Sequence, residues 1–333
     1  MSFEHVGIVG AGSWGTALAL LLQENKLRCT VWGHDAAHIA QIERERENAA
    51  YLPGVTIPES IRFTAELDAL AACDLVLLVT PSKALREVTA RLSTVALRED
   101  AVLLSCTKGV ERGSGLRMSE IVAESFPRNP VAVLSGPSHA EEVARRMPTA
   151  IVLGCADAAI GQRLQQAFST LFFRAYTNDD VAGIELGGAL KNIFALAAGV
   201  GDGLGLGDNS KAALVTRSLA ELVRLGTALG GRRETFMGLS GIGDLMVTCF
   251  SRHSRNRAVG ERLGRGESLA AIVSSMNMVA EGVPTTYSAH ECAHRLGIVT
   301  PIIDEMRALL DGAHTPRETL ARLLGRDPKH EGG

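Results

Sequence analysis

Directly after a short apolar run, Val6–Val9, the chain reads Gly10-Ala11-Gly12-Ser13-Trp14-Gly15 and then opens into an amphipathic stretch over 13–24. Glycines at this spacing, between a strand and a helix, leave few folds open. The first makes a tight turn and the second lets the backbone approach a diphosphate. The third packs helix against strand, and the helix N-terminus adds unpaired N–H donors and a partial positive charge. The bare pattern is common, and a tight turn without a ligand is the alternative. Its place at the start of a strand–helix–strand unit points instead to a dinucleotide site, with Gly10, Gly12 and Gly15 in the three roles.

The rhythm downstream agrees. Apolar runs at Leu27–Trp32, Leu75–Val79, Ala101–Ser105 and Val131–Leu134 alternate with helical patterns near 36–47, 82–92 and 117–125. Such alternation predicts βαβ units in a parallel sheet with helices on both faces. Ala150–Gly154 and Phe172–Tyr176 add two strands around a helix at 157–170. Beyond about residue 180 only helices are expected: 181–200, 210–230, 256–263, 269–276, 285–296, 302–310 and 316–324. The tail Lys329–Gly333 reads as frayed.

Composition narrows the function classes. With 34 Lys and Arg against 37 Asp and Glu, and only 4% aromatics, the chain offers neither a basic face nor stacking platforms for nucleic acid. Its longest apolar stretches, such as Leu75–Val79 and Ala195–Val200, fall far short of the ~20 residues that span a bilayer, so no integral membrane segment is expected. The first residues lack the basic and apolar regions of a secretory leader. Six scattered cysteines, without metal-ligand spacing, suit a reducing, cytoplasmic setting and predict no metal site.

Several residues stand where chemistry is expected. The second strand ends Trp32-Gly33-His34-Asp35, with no acid where an NAD ribose would be read. That removes repulsion against a 2′-phosphate, and His34 could contact one, which favours NADPH, with NADH the alternative. Asp35 equally suits a helix cap. Lys108 follows the strand 101–105, at the carboxyl edge where doubly wound sheets bind ligands. Gly136-Pro137-Ser138 closes the next strand and presents N–H and hydroxyl groups, or is an ordinary turn before a helix. Lys191 lies in an apolar helix behind Gly187 and Gly188, which are expected to open space beside its ammonium. A lysine there has its pKa lowered by burial and suits proton transfer; a snorkelling lysine is the alternative. Gly199–Gly207, with glycine at every second position, is expected to leave the helix as a close-packed loop. Asp244 follows another glycine run. Ser254-Arg255-Asn256, with Ser254 as N-cap, forms a helix start suited to a phosphate, or a solvated basic turn.

Taken together, Ser13-Trp14-Gly15-Thr16-Ala17, Trp32-Gly33-His34-Asp35, Thr107-Lys108-Gly109, Ser135-Gly136-Pro137-Ser138, Leu186–Asn192, Gly243-Asp244-Leu245, Ser254-Arg255-Asn256-Arg257 and Val279-Ala280-Glu281-Gly282 occur in one family's order over nearly the whole chain. The sequence resembles the bacterial NAD(P)-dependent glycerol-3-phosphate dehydrogenases. The resemblance implies an NAD(P)-binding α/β Rossmann-type domain over 1–179 and an all-α substrate-binding and catalytic domain over 180–333. It implies reduction of dihydroxyacetone phosphate to sn-glycerol 3-phosphate. Ser13, Trp14, His34, Lys108, Ala140, Arg255, Val279 and Glu281 would line the cofactor. Lys108, Gly136, Ser138, Lys191, Asp244, Ser254, Arg255 and Asn256 would line the substrate. Lys191 would donate and accept the proton, with Asp244 orienting the lysine or a substrate hydroxyl and Lys108 adding positive charge. His139 stands where the family often has Phe. The apolar, glycine-rich helical half suits close subunit packing in a homodimer.

Two other readings compete. A 3-hydroxyacid dehydrogenase shares the architecture and a catalytic lysine, but its helix carries Gly-x-x-x-Lys-x-x-x-Asn, whereas Ala195 stands at the last position here and Asn192 is adjacent to the lysine. A non-catalytic dinucleotide sensor would leave Lys108, Lys191 and Asp244 free to be lost.

Overall fold

Valine, leucine and isoleucine runs build one twisted sheet in the computed structural model, which describes residues 2–276, 279–327 and 330. Its strands are β1 (His5–Val9), β2 (Arg28–Trp32), β5 (Ile61–Thr64), β6 (Leu75–Leu78), β7 (Val102–Ser105), β8 (Val131–Ser135), β9 (Thr149–Gly154) and β10 (Phe173–Asn178), while β3 (Glu47–Asn48) and β4 (Leu52–Thr56) form a separate hairpin. The sheet order is β10-β9-β8-β7-β6-β1-β2-β5. From β5 to β8 every pairing is parallel, so both faces must be covered. Helices α1 (Ser13–Glu24), α2 (Ala36–Glu45), α3 (Ser82–Leu92), α4 (Met118–Ser125), α5 (Ala140–Ala144) and α6 (Ala158–Phe168) supply that cover. Their apolar faces make two cores, one around Ile8, Leu18 and Leu104, the other around Val76, Leu85 and Ile121.

Among the described residues nine further helices follow: α7 (Val181–Gly203), α8 (Asp208–Ala228), α9 (Arg233–Phe236), α10 (Asp244–Phe250), α11 (Arg255–Gly264), α12 (Leu269–Ser274), α13 (Gly282–Leu296), α14 (Pro301–Leu310) and α15 (Pro316–Leu324). Helix α7 is the axis of this half, and α8, α10, α11, α13 and α14 pack around it. Its start is set by Asp180, whose carboxylate accepts from Gly183 N–H at 2.9 Å. Asp35, Asp157 and Ser254 cap α2, α6 and α11 in the same way, each side chain taking up an N–H that the helix leaves unpaired.

The structure corrects several expectations. β9 runs antiparallel to β8, so the sheet is not wholly parallel. The Gly199–Gly207 stretch does not leave the helix at its start: α7 continues to Gly203, and only then does Gly205, at φ +75°, break it. The reason is helix packing. A Cβ on Gly199 would lie 2.0 Å from the Arg257 carbonyl oxygen, and one on Gly260 would lie 2.0 Å from that of Leu196. Glycine is therefore needed where α7 and α11 cross. Helix α7 is also long and apolar enough to cross a membrane by length and composition, which the short apolar runs had not suggested. It is buried along most of its length, as the core helix of the second half. The strand β5, the β3–β4 hairpin, α9 and α10 were not expected. The frayed tail lies, His330 apart, outside the described residues.

Candidate active site

The glycine loop sits at the carboxyl edge of the sheet, where the strand order reverses between β1 and β6. Gly10 has φ +131°, a conformation that other residues rarely adopt, and a Cβ there would lie 2.5 Å from the Val79 carbonyl oxygen just beyond β6. A Cβ on Gly15 would meet the Gly10 carbonyl oxygen at 1.9 Å, so α1 can approach β1 only with glycine there. Gly12 differs, because nothing lies within 4 Å of a Cβ built on it. It is also the N-cap of α1 and has no side chain with which to cap the helix. The start of α1 therefore has no side-chain cap on its first-turn N–H groups, as an anion-binding helix start requires. The loop fits a dinucleotide. Ser13 is buried and Trp14 half-buried on α1, while His34 is exposed at the end of β2. Asp35 takes the capping role, accepting from Ala37 and His38 N–H groups. Gly33 has no room for a side chain: its Cβ would meet Ile39 at 2.6 Å and Ala11 at 3.0 Å.

Along the same edge three charged side chains converge. Lys191, 6% exposed, donates from Nζ to Asp244 Oδ1 and to Thr248 Oγ1, both at 2.6 Å. Lys108 donates to the other oxygen, Asp244 Oδ2, at 2.6 Å and to the Gly136 carbonyl at 3.3 Å. One carboxylate, 1% exposed, therefore joins a lysine from after β7 to a lysine from α7. Burial lowers the Lys191 pKa, and Lys108 lowers it further while Asp244 raises it, leaving it at about 8. Burial alone would push Asp244 up, but the two ammoniums hold it below the ordinary carboxylate range. Thr248, one turn beyond Asp244, donates its hydroxyl to the Asp244 carbonyl at 2.6 Å, which leaves its oxygen to face Lys191.

Glycine brings these elements together, though not in the expected way. Gly187 and Gly188 do not leave a void beside Lys191. A Cβ on Gly187 would lie 2.6 Å from the Ser240 carbonyl oxygen, and one on Gly188 would lie 2.3 Å from Ser135 Oγ. The space is filled by the π-turn Leu239–Gly243 on one side and the end of β8 on the other. Close approach, rather than open volume, is what these glycines provide. Gly136, at φ +126°, turns its carbonyl to accept from both Lys108 and Ser138 Oγ, the latter at 3.0 Å. Ala140 is buried at the start of α5. His139, before it, packs its ring 5.8 Å from that of His253 and has a buried Nε2 without a protein partner.

A second group surrounds the start of α11. Ser254 is its N-cap, accepting from Arg257 N–H at 3.2 Å. Arg255 is exposed and donates to the Val279 carbonyl at 3.2 Å. Asn256 is buried and already engaged: it donates to Asn192 Oδ1 at 2.9 Å and accepts from Gly282 N–H at 2.8 Å. Glu281 reaches across to α3, accepting from Ser82 N–H at 2.9 Å and from its hydroxyl at 2.5 Å. Burial raises the Glu281 pKa against the Ser82 bonds and the Arg255 charge. This group meets the sheet edge through Ser82, which follows Thr80-Pro81, and it meets the lysine cluster through Asn192.

Thr248 and Ser82 had no place in the sequence reading, and Asn192 entered it only as the neighbour of Lys191, with no role at the site. Thr248 lies four residues after Asp244, on the same helix face, and that spacing was the signal. Among the described residues no group of three or more His, Cys, Asp or Glu side chains could hold a metal ion.

A family model described as NAD-dependent glycerol-3-phosphate dehydrogenase N-terminus matches residues 5–160, and one described as the C-terminus of the same enzyme matches 180–321. The chain is 47% identical to the glycerol-3-phosphate dehydrogenase [NAD(P)+] of Carboxydothermus hydrogenoformans, over 99% of each sequence. It is 45% identical to that of Chlorobium phaeobacteroides, over 98% of this chain and 99% of the relative. A crystal structure of glycerol-3-phosphate dehydrogenase from Coxiella burnetii superposes with a TM-score of 0.93 at 37% identity, covering 97% of this chain and 99% of that one.

Proposed function

Because the chain belongs to the NAD-dependent glycerol-3-phosphate dehydrogenase family, we propose a working assignment of its site residues to that reaction. The enzyme reversibly reduces dihydroxyacetone phosphate to sn-glycerol 3-phosphate with NAD(P)H, a step that feeds glycerophospholipid synthesis. The Gly10–Gly15 loop and the start of α1 hold the cofactor diphosphate. Trp14, His34, Ala140, Val279 and Glu281 stand around the same edge. A nicotinamide cofactor held there would supply the hydride for C2.

Lys191 gives its Nζ proton to the C2 oxygen as negative charge develops there, and it takes the proton back in the reverse direction. A pKa of about 8 suits both directions, because the group is mostly protonated near neutrality yet gives up its proton readily. Asp244 holds Lys191 and Lys108 at equal distance, and Lys108 adds positive charge beside the reacting oxygen. Gly136 and Ser138 border the substrate. Ser254, Arg255 and the remaining amide hydrogen of Asn256 hold its phosphate, so binding energy away from C2 positions the carbonyl.

The Lys191–Asp244–Lys108 cluster carries this assignment. In steady-state NADPH oxidation, dihydroxyacetone phosphate should turn over and a 3-oxoacid should not. Lys191→Ala should lose most of kcat while still binding NADPH in a calorimetric titration. Near-normal turnover by that variant rejects Lys191 as the proton donor.

The same proposal includes NADPH as the preferred cofactor, from Gly33 and His34 in place of an acid, and a homodimer in the cytoplasm. Six buried, unpaired cysteines support a reducing compartment. Exposed Met246 and Phe250, one turn apart on α10, offer apolar surface for a second subunit. Sedimentation at micromolar concentration tests the dimer.

A further inference from the structure

We infer that Asn48 is a positioning residue for dinucleotide binding, orienting the Ala11–Gly12 peptide of the glycine loop towards the cofactor diphosphate. This rests on the reading of Gly10–Gly15 given above. Asn48 lies in β3, in the hairpin outside the main sheet, and its side chain is wholly buried. Both of its amide hydrogens go to the loop and the helix behind it. Nδ2 donates to the Ala11 carbonyl at 3.0 Å and to Thr16 Oγ1 at 2.8 Å. The Thr16 N–H in turn bonds the Gly12 carbonyl at 3.0 Å, so one side chain ties together the loop and the first turn of α1.

The consequence follows from peptide geometry. In a planar trans peptide the C=O and N–H point in opposite directions. Holding the Ala11 oxygen against Asn48 turns the Gly12 N–H the other way, away from Asn48, and the loop is open at this residue, since a Cβ on Gly12 would meet nothing within 4 Å. Glycine at position 12 also makes this peptide easy to flip, since no Cβ opposes rotation about its N–Cα bond. A flipped peptide would present a carbonyl oxygen, not a donor, to the diphosphate. The loop therefore needs an external hydrogen-bond donor to select one orientation, and Asn48 is that donor.

A second observation favours this role over simple packing. Asn48 Oδ1 is buried with no protein partner. A residue retained only to fill that volume would be better replaced by an apolar one, which leaves no acceptor unpaired. Asparagine there is accounted for by its two donor bonds to the loop.

The test uses Asn48→Asp, which keeps the shape but can only accept when ionised, and Asn48→Ala, which removes both bonds. NADPH and ADP-ribose 2′-phosphate are titrated calorimetrically against each cofactor-free protein, alongside thermal unfolding and steady-state kinetics. Both ligands should weaken by about tenfold or more, with Asp the more damaging, as two positioning hydrogen bonds imply. Turnover at saturating NADPH and the KM for dihydroxyacetone phosphate should stay within about twofold of wild type, because the lysine cluster is untouched. Unchanged ligand affinity in a folded variant overturns the inference. Failure of both variants to fold also overturns it, by making Asn48 structural. If the wild type itself binds neither NADPH nor NADH, the dinucleotide reading falls and takes this inference with it. Wild-type binding with unaffected variants overturns this inference alone.

Discussion

Replacing Asp244 by Asn tests whether the charge cluster does what its geometry implies. In the wild type the carboxylate lies 2.6 Å from each of two ammoniums. Burial and Lys108 pull the Lys191 pKa down, Asp244 pulls it up, and the balance rests at about 8. At pH 7 roughly nine Lys191 side chains in ten are then protonated. Asparagine keeps the shape of the carboxylate and withdraws its charge, while the burial and Lys108 remain. Two unit charges 4 Å apart are worth about 4 kcal/mol at an effective dielectric of 20, or about three pKa units. Lys108 also loses its partner and can swing towards solvent, so a fall of about two units is the better expectation. Lys191 would then titrate near about pH 6, with roughly one side chain in ten protonated at pH 7.

The assay is kcat/KM for dihydroxyacetone phosphate reduction, followed from about pH 5.5 to 9.5 at saturating NADPH. With Lys191 as the proposed proton donor, reduction requires its protonated form, and the wild-type rate should fall as pH rises through about 8. In Asp244→Asn that fall should move down by about two pH units, making the variant roughly tenfold slower at pH 7 from protonation alone. Much of the rate should return at the acid end. If the alkaline limb stays where the wild type has it, Asp244 does not set the charge of Lys191. A uniform loss without displacement would make Asp244 an orienting group only.

His34→Ala should bring the ratio of kcat/KM for NADPH over NADH towards one; an unchanged ratio shows that His34 does not read the 2′-phosphate. Gly260→Ala places a Cβ 2.0 Å from the Leu196 carbonyl oxygen and 3.0 Å from the Gly199 Cα. Urea unfolding should show a loss of about 3 kcal/mol, the upper part of the overpacking range, and a loss below about 1 kcal/mol would mean that α7 and α11 can slide apart. Glu221 is buried and caps α14, accepting from Ile302 and Ile303 N–H groups, and burial raises its pKa to about 7. The folded state therefore takes up a proton near pH 7 that the unfolded chain takes only near 4.5. Its contribution grows as pH falls from about 8 to 5, by on the order of 3 kcal/mol. Thermal unfolding of Glu221→Gln should lack that increment, and parallel pH dependences would contradict the burial argument.

Much of the fold could be read from local signals. Central parallel strands are buried on both faces, so β1, β6, β7 and β8 appear as unbroken apolar runs. Helices with Asp or Ser at the cap and a periodic apolar face were equally plain. The hairpin was not, because β4 is short, largely exposed and carries Pro53 and Gly54, which read as a turn. The Asp244 region was obscured by glycines whose purpose is close approach, not flexibility. Gly241 would press a Cβ to 2.0 Å from the Phe236 carbonyl oxygen, and its low helix propensity is overridden by that packing. Gly199–Gly203 misled for the same reason.

By itself the sequence determined the kind of ligand the N-terminal half accepts, because a diphosphate-binding loop is a local device: six residues, a strand before and a helix after. It also determined that lysines and an acid would stand near glycine turns. Only the tertiary structure decided that Asp244 would lie between Lys191, 53 residues away, and Lys108, 136 residues away. It alone set the Lys191 pKa, since that value comes from burial by distant helices and from charges brought to 2.6 Å. It also gave Asn48 a task at the glycine loop that no motif had suggested. Hydrogen bonds and desolvation act over a few ångströms, and which residues come that close is a property of the packed chain.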